Sequence, residues 1–384
     1  MKKSLLFAAM LSSAVAATAQ TEQFSIATLN VDGLPKKVLF LDTNPDGPGA
    51  EGSLRIGKYL AQQNFDLVFT QEDFNYHAEL ALPLLLKYNF DTWSGGVGIL
   101  GHKIDPRYLQ NVRFDCDGLG ACWKKCVRLN NVTRTAWNDV FGKFSHANDE
   151  LVTKGFRRYE FTLPCKLNLV VYNMHMDAGD DPDEMVGNDL KDREARRGQW
   201  KQLLDDILAR MDNRPVLVLG DLNSYYCRDG VEQNFIDAIN ASGKGIANDV
   251  WVELQNDNVY PEPKESIVFT GEQGWELNGE TLDKIIYINP TTGMRIKPLS
   301  FKHDKEAYQH DGKPLGDHYP LTATFGLETG FESIATLGIG HAETDSPTTA
   351  TSMFDLSGRK MSSNVKKGLY IEHSGKDARK RIVR

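Results

Sequence analysis

Short apolar runs that end abruptly in polar residues recur along the chain. Val216-Leu217-Val218-Leu219 is bounded by Pro215 and Gly220 and then delivers Asp221, Leu222 and Asn223. A continuous apolar run of this length predicts a strand buried on both faces. Asp221 and Asn223 share one face of it if the chain stays extended. Phe24 to Leu29 alternates as a strand and ends at Asn30; Asp66 to Thr70 reads as a buried strand ending at Gln71-Glu72. Val97 to Leu100, Phe156 to Leu163, Leu167 to Asn173, Leu282 to Ile288 and Leu321 to Phe325 are further strand candidates. Ser53 is placed to N-cap a helix with Ile56, Tyr59 and Leu60 on one face. From about Arg193 to Met211, Trp200, Leu203, Leu204, Ile207 and Leu208 keep helical spacing and predict one stripe packed on a sheet. Residues 105–150 read as a long irregular excursion.

The ends of the chain differ from this middle. Lys2 and Lys3 precede an apolar run from Leu5, and Ala17-Thr18-Ala19 offers a small-x-small cleavage site, so residues 1–19 are expected to be a secretory signal peptide. Beyond about residue 327 the composition turns to Gly, Ser, Thr and Ala, the mark of a linker over 328–350, and 351–384 form a separate small β tail. The expected catalytic domain is therefore 20–327. Five cysteines are an odd number for an oxidising compartment; Cys116, Cys122 and Cys126 lie close enough in sequence to furnish one disulfide, and their spacing lacks the paired C-x2-C of a zinc site. The formal charge of −8 is the sum of +6 in residues 352–384, +2 from Lys2 and Lys3, and −16 in the rest. A protein that tracks nucleic-acid phosphates usually presents a basic surface instead.

Six strand ends or starts carry polar residues: Asn30, Glu72, His175, Asp221 with Asn223, Asp283, and Asp317-His318. Strand ends of a packed sheet pair converge on one rim, where sites are built. Attack of water on a phosphoester uses this set of residue types. Carboxylates such as Glu72 suit Mg²⁺, a hard cation that keeps several waters; bound, it polarises a phosphoryl oxygen. His318 titrates near neutrality and suits a general base, with a carboxylate to orient it. Asn223 can donate to the phosphate without adding negative charge, and Gly220 would let the backbone turn close to substrate.

The ordered elements Leu29-Asn30, Gln71-Glu72, Asn173-Met174-His175, Gly220-Asp221-Leu222-Asn223, Leu282-Asp283 and Gly316-Asp317-His318-Tyr319-Pro320 resemble the endonuclease/exonuclease/phosphatase superfamily over about residues 24–326. That group includes type I deoxyribonucleases, abasic-site endonucleases, inositol-polyphosphate phosphatases and neutral sphingomyelinases. The resemblance implies an α+β fold, a four-layered αββα sandwich of two packed mixed β-sheets flanked by helices, and a Mg²⁺-dependent phosphoesterase, with Mn²⁺ or Ca²⁺ as substitute or second ion. It implies Glu72 as principal metal ligand with Asn30 beside it, Asp317 near a second metal or water, and His318 as base held by Asp283. Asp221 and Asn223 would meet the phosphate, and His175 would stabilise its charge or that of the leaving group.

Asp149 to Gly155, with Lys154-Gly155 ahead of a strand, and Arg193 to Gln199 resemble the sphingomyelinase-type branch. This points to a phospholipid head group as substrate, with peripheral membrane contact for which Trp123 and Trp137 are the candidates. A nuclease and an inositol or sugar phosphatase are the alternatives. A non-catalytic binding module of the same fold is a further one, although Glu72, Asp221 and His318 are all present. The tail elements Asp-Leu-Ser-Gly-Arg-Lys and Gly-Leu-Tyr-Ile resemble sorting domains of secreted Bacteroidetes proteins, so a secreted, periplasmic or surface-bound monomer of a Gram-negative bacterium is expected.

Overall fold

A computed structural model describes residues 23–38, 41–42, 44–95, 114–142, 146–179, 189–264, 274–328, 352–354, 368–374 and 377–383. The chain divides into two compact units, 1–331 and 332–384. The first is built on two six-stranded sheets. In chain order the strands are β1 (Gln23–Asn30), β2 (Leu67–Gln71), β3 (Tyr88–Phe90), β4 (Gly120–Lys124), β5 (Arg128–Ala136), β6 (Gly155–Thr162), β7 (Asn168–His175), β8 (Val216–Asp221), β9 (Gly245–Asp249), β10 (Asp283–Pro290), β11 (Arg295–His303) and β12 (Leu321–Glu328). One sheet runs β11-β12-β1-β2-β4-β3, the other β9-β10-β8-β7-β6-β5. Both are mixed: β1 pairs parallel with β2 and antiparallel with β12, while β8 pairs parallel with β7 and antiparallel with β10.

Alternation along each strand explains the layering. Ile26 and Phe24 of β1 and Leu217 and Leu219 of β8 enter the core between the sheets, together with Phe69, Tyr159, Phe161 and Phe325. The intervening residues face outward and are covered by helices. Val216 and Val218 lie under Trp200, Leu203 and Ile207 of α2 (Asp189–Arg210), and Ala27 and Leu29 lie under Ile56, Tyr59 and Leu60 of α1 (Gly49–Gln63). The result is the expected αββα sandwich, and β8 is buried on both faces.

Several local expectations are corrected. Ser53 lies inside α1 and is buried; the helix begins at Gly49, without a side-chain cap. The stretch 105–150 is not irregular throughout: it contains β4, which pairs with β2, and β5, the edge strand beside β6, whose weak alternation and exposed side chains give no strand pattern. Trp123 is 5 % exposed in the inter-sheet core and Trp137 1 % exposed, its Nε1 donating to the His175 carbonyl at 2.7 Å, so neither can dock on a membrane. The expected disulfide is not formed, Cys122 and Cys126 being thiols. The strand expected at 97–100, the leader at 1–19 and the linker from 329 lie outside the described residues. Among the described residues no helix is long and apolar enough to cross a membrane.

The second unit is a three-stranded antiparallel sheet of β13 (Ser352–Phe354), β14 (Gly368–Ser374) and β15 (Asp377–Val383) in that order.

Candidate active site

Mixed pairing brings opposite strand ends to one rim. β1, β2, β7 and β8 deliver their C-terminal residues there, and their antiparallel neighbours β10 and β12 begin there, with Asp221 directly opposite Asp283. Below the rim Gln71 and Asn173 tie the two sheets together. Gln71 Nε2 donates to Asn173 Oδ1 at 2.7 Å, and Asn173 Nδ2 donates to the carbonyls of Thr70 and Gly120. Both residues stand in the sequence elements quoted above, but nothing in the pattern of the chain reveals an inter-sheet clamp.

The sequence-predicted residues meet at this rim. His318 Nδ1 lies 2.7 Å from Asp283 Oδ2, and its Nε2 is 3.7 Å from Asp221 Oδ2. His175 Nε2 is 3.4 Å from the same Asp221 oxygen and 3.9 Å from Glu72 Oε1. Asn30 Nδ2 donates to both Glu72 Oε1 and Asp221 Oδ2 at 3.0 Å, while its Oδ1 accepts from the Asp32 amide at 2.9 Å. The Asp32 amide fixes this orientation, so in this arrangement Asn30 bridges two carboxylates through its nitrogen. Asp317 is exposed at the mouth.

Backbone strain gathers at the rim. Asp32, Glu72 and Asn223 all have left-handed φ, of 48°, 55° and 45°. That conformation costs a side-chain-bearing residue about 1–2 kcal/mol, least for Asn and Asp. The chain is therefore not extended after β8. Asn223 turns back so that its amide donates to Asp221 Oδ1 at 3.1 Å, and its Nδ2 donates to the Met176 carbonyl. Gly220 has a different reason from the one expected. At φ 136° its missing Cβ would stand 2.1 Å from the Met174 carbonyl oxygen, so glycine permits the close approach of β7.

Charge is distributed unevenly. Asp32, Glu72, Asp221 and Asp317 face one another, and burial, with Asp317 and Glu72 adding, pushes the Asp32 carboxyl up to about 8. Glu72 is pushed up to about 7, by burial first and then Asp317 and Asp221, against the Lys154 ammonium. Mutually destabilised carboxylates of this kind are the donor set of a cation site. Oxygen donors of Glu72, Asp221 and their neighbours fit a hard divalent ion. Ligand atoms of Glu72, His175 and Asp221 lie within 4.8 Å of one another, as do those of Asp221, Asp283 and His318.

Lys154 sets a buried cation beside these carboxylates. Its buried Nζ donates to His175 Nε2 at 3.0 Å and pairs with Asp149. His175 is thereby pushed down to about 3, by burial and the ammonium together. Its Nε2 acts as acceptor, which leaves the proton on Nδ1. His318 goes the other way: burial opposes its charge, but Asp283, Asp221 and Asp317 outweigh that and hold its proton well above the ordinary range. The Asp149–Gly155 element contains Lys154; its place in the site becomes visible only when β6 brings it beside β7.

A chamber of about 140 Å³ opens over these groups, lined also by Tyr225, Arg228 and Trp275. Asp317 also lines a broader groove of about 890 Å³ that passes Asp32 and the start of α1.

No family model matches the chain. A sphingomyelinase of Mycobacterium bovis is 24% identical over 307 residues, 79% of this chain and 52% of that protein; the chain spans about half the length of the curated relatives it matches. Among solved structures, D. rerio TDP2 complexed with single strand DNA product superposes with a TM-score of 0.51 at 16% identity, covering 79% of this chain and 99% of that one. A humanized D. rerio TDP2 gives 0.50 at 17% identity, covering 80% of this chain and 100% of that one. The fold, two packed six-stranded mixed sheets flanked by helices, is the one these TDP2 structures share.

Proposed function

We propose that this chain is a divalent-metal-dependent phosphodiesterase that hydrolyses a phospholipid head-group ester. The observation that carries the reading is the His318–Asp283 pair, buried and aimed at Asp221 across a rim of mutually repelling carboxylates. In the reaction the neutral form of His318 takes the proton of the attacking water at Nε2, and Asp283 stabilises the resulting imidazolium through Nδ1. Asn223, fixed by Asp221 and Met176, presents its carboxamide to the phosphate. Asn30 holds Glu72 and Asp221 at fixed separation, and Lys154 places positive charge beside the developing oxyanion. Mg²⁺, held by Glu72 with neighbouring carboxylate oxygens, supplies Lewis-acid polarisation of a phosphoryl oxygen when bound.

The lipid reading is favoured over a nuclease by the sequence likeness to a mycobacterial sphingomyelinase, which runs through most of the chain, and by the acidic body. The leader-like residues 1–19 and the tail elements support export as part of this reading. A substrate panel at fixed Mg²⁺ tests the reading, using sphingomyelin, lysophospholipids, supercoiled DNA and inositol phosphates. Turnover confined to the lipids is expected. Rapid nicking of DNA without lipid turnover sinks it.

A further inference from the structure

The short helical turn Tyr226–Asp229 after β8 places a guanidinium in the reaction chamber that neither the polar strand ends nor the metal-side carboxylates require. Arg228 lies five residues beyond Asn223, and its side chain is 8 % exposed. It lines the chamber with Asn223, Asp221 and His318. Among its contacts, three hold it rigid. Its Nε donates to Asp229 Oδ2 at 2.7 Å, its Nη2 donates to the backbone carbonyl of Asn223 at 2.5 Å, and its plane lies 5.1 Å over the Tyr225 ring. The Asp229 carboxylate is divided further, with Arg196 at 3.3 Å and Arg193 at 3.9 Å. Arg228 thus shares the Asp229 carboxylate with two other arginines. A buried, preorganised guanidinium fork matches the geometry of phosphate oxygens and loses little entropy on binding them.

We propose that Arg228 is a catalytic residue that grips a non-bridging oxygen of the reacting phosphate from the Asn223 side of the chamber. The inference rests on the phosphoester reading above and adds to it. The site holds its phosphate between two differently charged walls, with carboxylates on the Glu72 side and a guanidinium on the Asn223 side. The small chamber volume admits the phosphoryl group and the first atoms of its ester, so the group Arg228 meets is the reacting one. A hydrogen bond to a charged partner contributes enough that its loss weakens binding about 10- to 100-fold.

The test is calorimetric titration of inorganic phosphate, at saturating Mg²⁺, into the full chain and into R228Q and R228K, with Mg²⁺ affinity and Tm measured on the same samples. R228Q is expected to bind phosphate about 10- to 100-fold more weakly, R228K to fall between, and Mg²⁺ affinity to stay unchanged. Phosphate affinity in R228Q equal to that of the unaltered protein overturns the proposal. So does a parallel loss of Mg²⁺ affinity, or an unaltered protein that binds no phosphate. Should R228Q not fold, R228K decides, since it keeps the charge and loses the fork. Undiminished phosphate affinity in R228K then overturns the proposal. If the unaltered protein hydrolyses no phosphoester while phosphate binding still depends on Arg228, the hydrolase reading fails and the Arg228 assignment stands.

Discussion

His318 and His175 occupy the same rim, are both buried, and lie within 4 Å of the same Asp221 oxygen, yet their neighbours set one as a cation and the other as neutral. Three carboxylates surround His318 and hold its proton. Burial, together with an ammonium that touches it, keeps His175 neutral, its pKa down to about 3. The difference shows that residue type alone does not assign a role in this site. A histidine beside carboxylates is held as a cation and serves as base from its neutral form, whereas a histidine beside a lysine is an uncharged spacer whose Nε2 is already engaged.

The largest effect that separates them comes from deleting the base. His318→Ala should lower turnover by about 10²- to 10⁴-fold, the range that positioned proton transfer contributes, with Tm largely kept. A variant with near-unaltered turnover breaks the assignment of His318. Asp283→Asn keeps the shape of the pair and removes its charge, so turnover should again fall by at least about 10²-fold. In the same variant the His318 pKa, read by NMR, should move down, because Asp283 is the first of the carboxylates that raise it.

Lys154→Met addresses the other histidine. Without the ammonium, one of the two causes that depress His175 is gone, and its titration by NMR should rise from about 3 toward the ordinary histidine range. Asp149 loses its partner as well and remains buried, so a lower Tm accompanies the change, by an amount corresponding to about 3–5 kcal/mol for one broken buried pair. A His175 that still titrates near 3 means burial alone sets it, and the contrast between the histidines then owes nothing to Lys154.

These tests concern side chains that were legible in the sequence to different degrees. The strands were readable because their apolar runs are short, β-branched and punctuated by Gly or Pro, as at Val216 to Gly220. The rim residues were readable because each follows or precedes such a run. β5 was not, since half of its side chains face solvent and its alternation is weak. The partners that tune the site were not either. Lys154 sits at the start of one strand and acts on the end of another, Gln71 and Asn173 clamp two sheets, and Arg228 follows a turn created by a left-handed Asn223. Each depends on the register of sheet pairing and on backbone conformation, which local patterns leave open.

The smallest and most graded effect concerns the carboxylate wall rather than either histidine. Glu72 and Asp32 have folded pKa values of about 7 and about 8, above their ordinary values of 4.5 and 3.8. For such groups the fold favours the neutral form. Their contribution to stability is fully present below about pH 4 and is lost as pH rises through 7 and 8, so the metal-free protein should lose stability over that window. A bound divalent cation acts in the opposite sense, because it requires the ionised carboxylate and offsets the repulsion. Mg²⁺ affinity should therefore weaken about tenfold for each unit of pH below 7, where one proton must leave Glu72, and level off above 8. Differential scanning fluorimetry across pH 5.5 to 8.5 measures both: a Mg²⁺-induced rise in Tm that grows with pH is expected. A rise independent of pH would mean that the cation does not displace a proton from Glu72, and the carboxylate wall would then be no counterpart to the lysine-governed side of the site.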